Sequence, residues 1–511
     1  MINEVGRELP EYIEGYGQVK PFQYALDNDV VIKRKNILNT YNKSSEGKYV
    51  NSIKEVLLKA NIKDGMTISF HHHLRNGDKV LNHVLQEVAN MGIKDIKVAA
   101  SSIFPIHKPL VKLIEDGVVT QVMANYISGP VADAISSGKL KYPAIMHTHG
   151  GRARSIESGD LNIDIAFIGA PTCDTYGNIN GVQGTSACGT LGYAVADAMY
   201  ANIVVAVTDN LVEYPAEYVE ISQEYVDYVT TLESIGDPSG IVSGTTQITK
   251  DPIGLKIACD TGKVIEAAGF LKNGLSFQTG AGGTSLAVAH FLKKMMHEKD
   301  IKGSFASGGI TGYLVDMLNE GYFRTLVDVQ CFDLDAINSY KENRNHQGMS
   351  ASKYGNPHNK GAVVDQLDVM ILGATEIDLD FNVNVTTGSD GRIMGGSGGH
   401  SDTAAGSKLA IVVTQLIKGR IPIVKDNVTT VTTPGRSIDV LVTERGIAVN
   451  PENKGLAEKL KDAGLNVVSI KELKEMAEKI AGKPEKIEQK DDIVAIVEYR
   501  DGTVIDLVKR V

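Results

Sequence analysis

The segment Lys94-Asp95-Ile96-Lys97, followed by Ser101-Ser102, returns as Lys299-Asp300-Ile301-Lys302, followed by Ala306-Ser307. Leu110-Val111 through Glu115-Asp116-Gly117 likewise returns as Leu314-Val315 through Asn319-Glu320-Gly321. The offset stays at roughly 205 residues, and a period that long marks one architecture used twice. Within the first copy, Met66-Thr67-Ile68-Ser69-Phe70 is short and apolar, and Val80, Leu81, Val84, Leu85 and Val88 then recur at helical spacing. Strands alternating with helices imply a parallel sheet covered by helices. The expectation is therefore an α/β chain of two related open parallel-sheet domains in tandem. Gly, Pro, Ser and Thr gather between Gly236 and Pro252, which places the seam there and predicts domains over 1–245 and 246–511. Further strands are expected at 367–372, 409–413 and 438–442. The tail from Asp492 to Asp506 reads as a hairpin closed by a type I′ turn on Asp501-Gly502.

Several function classes are excluded by composition. No apolar run is long enough to span a bilayer, and the first ten residues lack the apolar core of a secretion signal, so the chain is expected in the cytoplasm. The net charge of −10 has the wrong sign for nonspecific nucleic-acid binding. Four dispersed cysteines with no C-x-x-C pair indicate neither a disulfide framework nor a thiolate metal site. The first 50 residues read as a polar surface arm, with Val30-Val31-Ile32-Lys33-Arg34-Lys35 as its basic cluster.

Two glycine clusters carry most of the chemical signal. In Met394-Gly395-Gly396-Ser397-Gly398-Gly399-His400-Ser401-Asp402, four glycines surround one serine, so backbone N–H groups can approach a ligand closely. The literal G-x-S-x-G pattern suggests a hydrolase elbow, but that order needs a later histidine and none follows His400. The loop reads instead as an oxyanion cradle built on Gly396, Gly398 and Gly399. The second cluster, Gln278-Thr279-Gly280-Ala281-Gly282-Gly283-Thr284-Ser285, feeds a helix and forms a candidate anion site at its N-terminus. It lacks the third glycine and the placed acidic residue of a dinucleotide fingerprint.

Histidine and arginine supply the charged candidates. His71-His72-His73 with Arg75 follows a strand, and alternation sets His71 and His73 on one face. No carboxylate or cysteine nearby completes a metal set, so no metal is expected; an anion with several charges suits these donors better. His147-Thr148-His149-Gly150-Gly151-Arg152-Ala153-Arg154 has the same character, with a solvated basic loop as the plain alternative. Asp174, Tyr176 and Asn178 follow the strand predicted over 163–168 and are a pocket wall or a structural turn. Glu376 and Asp378 are weaker acid–base candidates.

Taken in order, these segments resemble the coenzyme A transferase superfamily and, more closely, the citrate lyase alpha-subunit family. The resemblance is carried by Ser69-Phe70-His71-His72-His73 with Arg75, by His149-Gly150-Gly151-Arg152-Ala153-Arg154 and by Gly169 through Asn178. Gln278 through Gly283, Gly395 through His400 and Thr443-Glu444-Arg445-Gly446-Ile447-Ala448 complete it. One departure is informative. Many superfamily members have a Ser-Glu pair about two dozen residues after a glycine-rich turn, whose glutamate becomes acylated. Here Ser307 precedes Gly308-Gly309, and no acidic residue lies between Gly303 and Tyr313. The citrate lyase branch is similar in lacking that glutamate.

The resemblance implies transfer of a carrier-protein thioester from acetyl to citrate, with release of acetate and no acyl-enzyme. It implies as partners a citrate lyase beta subunit and a gamma acyl carrier protein bearing a dephospho-coenzyme-A-derived arm, with acetyl-coenzyme A as a possible donor, in an oligomer. On this reading His71, His72, Arg75, His149, Arg152 and Asp174 bind citrate, Gly280, Gly282, Gly283 and Ser397 hold the thioester arm, and Gly308 matters only through packing. Alternatives are a free acyl-coenzyme A transferase, a thioester hydrolase, a citramalate-specific relative, and a noncatalytic effector-binding module of related fold.

Overall fold

The computed structural model describes residues 1–26, 48–242, 248–280, 282–484 and 487–511. The basic cluster at 30–35, the expected boundary at 245/246 and Ala281 lie outside the described residues.

Two large sheets dominate. In the first, strands Thr67–Phe70, Ile96–Ala100, Val119–Ala124, Ala144–Met146, Ile165–Ala170, Ile203–Thr208 and Tyr228–Thr231 are all parallel. Numbered along the chain, their order across the sheet is 7-6-5-1-2-3-4. In the second sheet, strands Ser276–Thr279, Gly303–Ile310, Phe323–Cys331, His346–Gly348, Val369–Leu372, Leu409–Val413 and Val440–Thr443 take the same order, with an antiparallel eighth, Gly446–Val449, at the edge. The repeat read from two short segments thus extends to seven strands. Most of these strands are buried along their length, as expected where helices cover a parallel sheet.

The chain's end does not stay with its half. The hairpin Ile493–Glu498 and Val504–Lys509 pairs with Ala144–Met146 and extends the first sheet to nine strands. Ala144–Met146 would otherwise be an exposed edge, which the hairpin covers. Its turn also differs from the expected type I′. The amide of Gly502 donates to Tyr499 O at 2.9 Å, and Gly502 alone in the loop has positive φ, giving a type I turn on Arg500-Asp501 with a glycine bulge.

One buried core runs from Phe22 to Val508 and draws on both sheets, while a second fills the far side of the second sheet. Among the described residues no helix is long and apolar enough to cross a membrane.

Each sheet reverses its winding between its first and fifth strands, and a crevice opens there beyond the strand carboxyl ends, where α/β folds bind ligands. His71-His72-His73 leaves the first such point and Gly280–Gly283 the second.

Candidate active site

Alternation beyond Phe70 divides the three histidines as the sequence predicts, but the shared face of His71 and His73 is the protein interior. Their rings stack at 5.9 Å, and His71 Nε2 approaches Asp197 Oδ2 at 3.1 Å without lying along a hydrogen-bond direction. Arg152 holds the same carboxylate through two hydrogen bonds, 2.7 and 2.8 Å long, and donates to Ala99 O at 3.0 Å. Burial opposes ionisation of Asp197, but Arg152 and His71 outweigh it and hold the carboxyl well below the usual range. His71 and Arg152, both expected at the substrate, are therefore committed to a buried ion cluster that locks helix Ala194–Tyr200 to helix His149–Ser158.

His72 turns the other way. Its ring lies 4.5 Å from Tyr193, 6.0 Å from Phe104 and 6.1 Å from His149, and Gln330 from the second half donates to its carbonyl at 3.0 Å. Tyr193 also packs on His149 at 4.6 Å. Burial pushes His149 down to about 3 and His72 well below its ordinary value, so both rings are neutral near pH 7. His149 Nδ1 is buried with no partner among the described residues.

Arg75 contrasts with Arg152. It has φ of +51°, and its guanidinium lies over two rings, Phe104 at 5.6 Å from the first half and Phe332 at 4.9 Å from the second. Its guanidinium makes one long polar approach, 3.5 Å to Ile241 O, and no carboxylate among the described residues pairs with it. Burial lowers its pKa, partly offset by Tyr126 and Tyr193, yet a guanidinium stays charged in proteins. A desolvated, unpaired cation at the junction of two halves is a strong carboxylate receptor.

The glycine loop meets this surface as a seam between the two halves. The amide of Gly398 donates to Asn125 O at 3.2 Å, and its carbonyl accepts from His149 N at 2.8 Å. A Cβ on Gly396 would stand 2.2 Å from Asn125 O, and one on Gly399 2.2 Å from the Tyr354 hydroxyl. Gly396 packs on backbone and Gly399 on the Tyr354 side chain, which is why these positions need glycine. Gly398 N–H is thus already occupied, whereas the Gly399 amide has no acceptor among the described residues. The Ser397 hydroxyl, expected at the thioester arm, donates to Ser401 Oγ at 3.1 Å. His400 bridges Thr433 Oγ1 and Gly373 O at 2.7 and 2.9 Å.

Two elements lock the halves further. Helix His149–Ser158, read from sequence as a basic loop, is capped by Thr148, and Asp402 from the second half accepts from Gly150 N and Thr148 Oγ1 at 2.8 Å each. A carboxylate at a helix N-terminus is a favourable placement.

Asp174 lies outside this cleft. Its carboxylate accepts from the amides of Tyr176, Gly177, Asn178 and Ala216 and from Asn178 Nδ2. Asp378 does the same in the second half, accepting from Asp380 N, Asn382 N, Asn382 Nδ2 and Val428 N. Both organise a repeated turn. Glu376 is likewise engaged, by Lys425, Asn384, Ser389 and Thr429.

Gly280 and Gly282 differ from the seam glycines. A Cβ at either would meet nothing closer than 3.6 Å, and Gly282 caps helix Gly283–Glu298 with no side-chain acceptor. This open helix start suits an anionic ligand. Asp328, Cys331 and His346 bring metal-type ligand atoms within 4.8 Å, but Asp328 already accepts from the other two at 3.0 and 3.2 Å.

Sequence reasoning missed Tyr193, Phe104, Phe332 and Tyr354. Phe104 and Phe332 sit in segments without glycine clusters, and although Gly189 and Gly192 precede Tyr193 and Gly355 follows Tyr354, nothing local marks either ring as part of the site.

A family model described as "Citrate lyase, alpha subunit" matches residues 46–511. The chain is 48% identical over 469 residues to the citrate lyase alpha chain of Escherichia coli K12, covering 92% of each. Among solved structures it resembles the chain from Streptococcus mutans described as the alpha subunit of citrate lyase in complex with citrate, with TM-score 0.95, 47% identity, and coverage of 100% of this chain and 99% of that one. The alpha subunit of a malonate decarboxylase from Acinetobacter baumannii shares the fold at 15% identity and TM-score 0.63, covering 84% of this chain and 92% of that one.

Proposed function

The chain belongs to the citrate lyase alpha-subunit family, and on that premise we propose how its cleft carries out thioester transfer from acetyl to citrate. The enzyme is a transferase of the citrate lyase complex, acting with a carrier-protein prosthetic group. The finer assignments are that the arm is derived from dephospho-coenzyme A, that the partners are a citryl-cleaving beta subunit and a gamma carrier protein, and that the assembly works in the cytoplasm.

Arg75 carries the reading. Citrate is a tricarboxylate, and this guanidinium is fixed between Phe104 and Phe332 with no carboxylate among the described residues to neutralise it. One citrate carboxylate would sit there, with the neutral imidazoles of His72 and His149 donating to others. The thioester arm would lie along Gly280, Gly282 and Gly283, where a Cβ on Gly280 or Gly282 would meet nothing closer than 3.6 Å and the start of helix Gly283–Glu298 favours phosphate. His71 and Arg152 support this surface from behind, while Asp174 holds its turn and Ser397 the glycine loop, all outside substrate contact.

The chemistry needs no protein nucleophile. A citrate carboxylate oxygen adds to the acetyl thioester carbonyl, the C–S bond breaks, and a mixed anhydride and thiolate result. The thiolate then adds to the citryl carbonyl and acetate leaves. Ser307-Gly308 stands where related transferases carry the acylated glutamate, and positioning of two substrates supplies much of the rate. Acetate release from an acetyl thioester, measured with citrate and with citramalate as acceptor, tests the reading. Release that depends on citrate supports it; release to water alone points to a hydrolase, and no release to an effector-binding module.

A further inference from the structure

Strand Gly303–Ile310 lies beside strand Ser276–Thr279 and sets Ser307 against Gln278. Ser307 Oγ donates to Gln278 Oε1 at 2.9 Å, and Gln278 Nε2 donates to Tyr354 Oη at 2.7 Å. The proton count along this chain decides what the phenol can do. Its oxygen accepts from the amide, so its hydrogen is not consumed by Gln278, and no acceptor for that hydrogen is found among the described residues.

The hydroxyl is also aimed. Tyr354 is 3% exposed, its ring centroid lies 6.3 Å from that of His149, and Oη sits 2.2 Å from where a Cβ on Gly399 would stand. It therefore lies directly over the loop segment whose Gly399 amide is uncommitted. Burial raises the phenol's pKa far above its ordinary value, more than the Gln278 hydrogen bond lowers it. It stays a donor and never acts as a base.

We propose that Tyr354 is a catalytic residue whose hydroxyl donates to the oxyanion formed as the substrate carboxylate adds to the thioester, with Gln278 and Ser307 as positioning residues. This rests on the thioester-transfer reading above. In the step, the carboxylate oxygen bonds to the carbonyl carbon and the C=O electron pair moves onto the oxygen facing Tyr354. The pair returns as the C–S bond breaks and thiolate leaves, and the phenol keeps its proton throughout. The same donor serves the return addition of thiolate to the citryl carbonyl, where acetate is the leaving group. A fixed donor of this kind costs no reorganisation at the moment of reaction.

The test is steady-state exchange by the assembled complex with an acetyl thioester donor and citrate. Tyr354→Phe keeps the ring, so kcat should fall about 100-fold while citrate KM changes by less than about two-fold. Gln278→Met should lower kcat about 10-fold, and the double variant should be no slower than Tyr354→Phe alone, since both act through one hydroxyl. Wild-type exchange, measured first, judges the transfer reading by itself; the variant-to-wild-type ratios judge Tyr354. A Tyr354→Phe enzyme with kcat within about three-fold of wild type, or additive losses in the double variant, overturns the proposal. Should Tyr354→Phe fold poorly, an unchanged kcat in Gln278→Met overturns it equally.

Discussion

Gly398 donates its amide to the carbonyl oxygen of Asn125 at 3.2 Å, joining the glycine loop of one half to the strand end of the other. With φ of +52° and a would-be Cβ 3.3 Å from His149 Nε2, this residue sets both the seam and the position of His149. Gly398→Ala should therefore lower kcat at least about 10-fold with about 1–2 kcal/mol of lost stability from the left-handed backbone. Gly396→Ala, which drives a Cβ into Asn125 O, should instead show first as loss of folded protein. Exchange assays and urea unfolding on both variants separate the two effects.

The two arginines of the cleft region should fail differently. Arg75→Ala removes an unpaired guanidinium and should raise citrate KM roughly 10- to 100-fold with unfolding unchanged. Arg152→Ala leaves Asp197 buried without its main partner and should cost about 3–5 kcal/mol. The Asp197 carboxyl is depressed in the fold, so its contribution is present above the unfolded carboxylate range and is lost as pH falls through the folded value.

His400 gives a pH signature of known sign. Burial lowers it to about 4, so between its ordinary pKa and that value the unfolded chain binds a proton that the folded chain does not. Its contribution is complete above about pH 6.5 and is lost as pH falls through the folded value. From pH 7 to pH 5 the stability gap between wild type and His400→Asn should shrink by roughly 2 kcal/mol. Urea unfolding midpoints at the two pH values measure this.

Much of the fold was legible because the repeated strands are apolar runs in the same order in both halves, and the turn around Asp174 even reuses its acceptor and asparagine at Asp378 and Asn382. The closing hairpin was legible as a hairpin but not as part of the first sheet, because pairing with Ala144–Met146 depends on an edge hundreds of residues away. In the site, Arg75 and Arg152 look alike in sequence. What separates them is Asp197, brought up by a helix that nothing local connects to either. Gly308 shows a similar limit. Its φ is +102°, and a Cβ there would stand 2.5 Å from Gln278 Nε2, so its packing holds open the space that Gln278 occupies beneath Tyr354, which the sequence does not reveal.

In direct transfer between two bound substrates, no atom of this chain becomes acylated. After acetyl thioester is added to the complex, with and without citrate, treatment with hydroxylamine or borohydride and mass mapping of the chain tests it directly. Every Asp and Glu should be recovered unmodified while acetate is released. A hydroxamate, a reduced alcohol or a thioester adduct at any carboxyl side chain would contradict it.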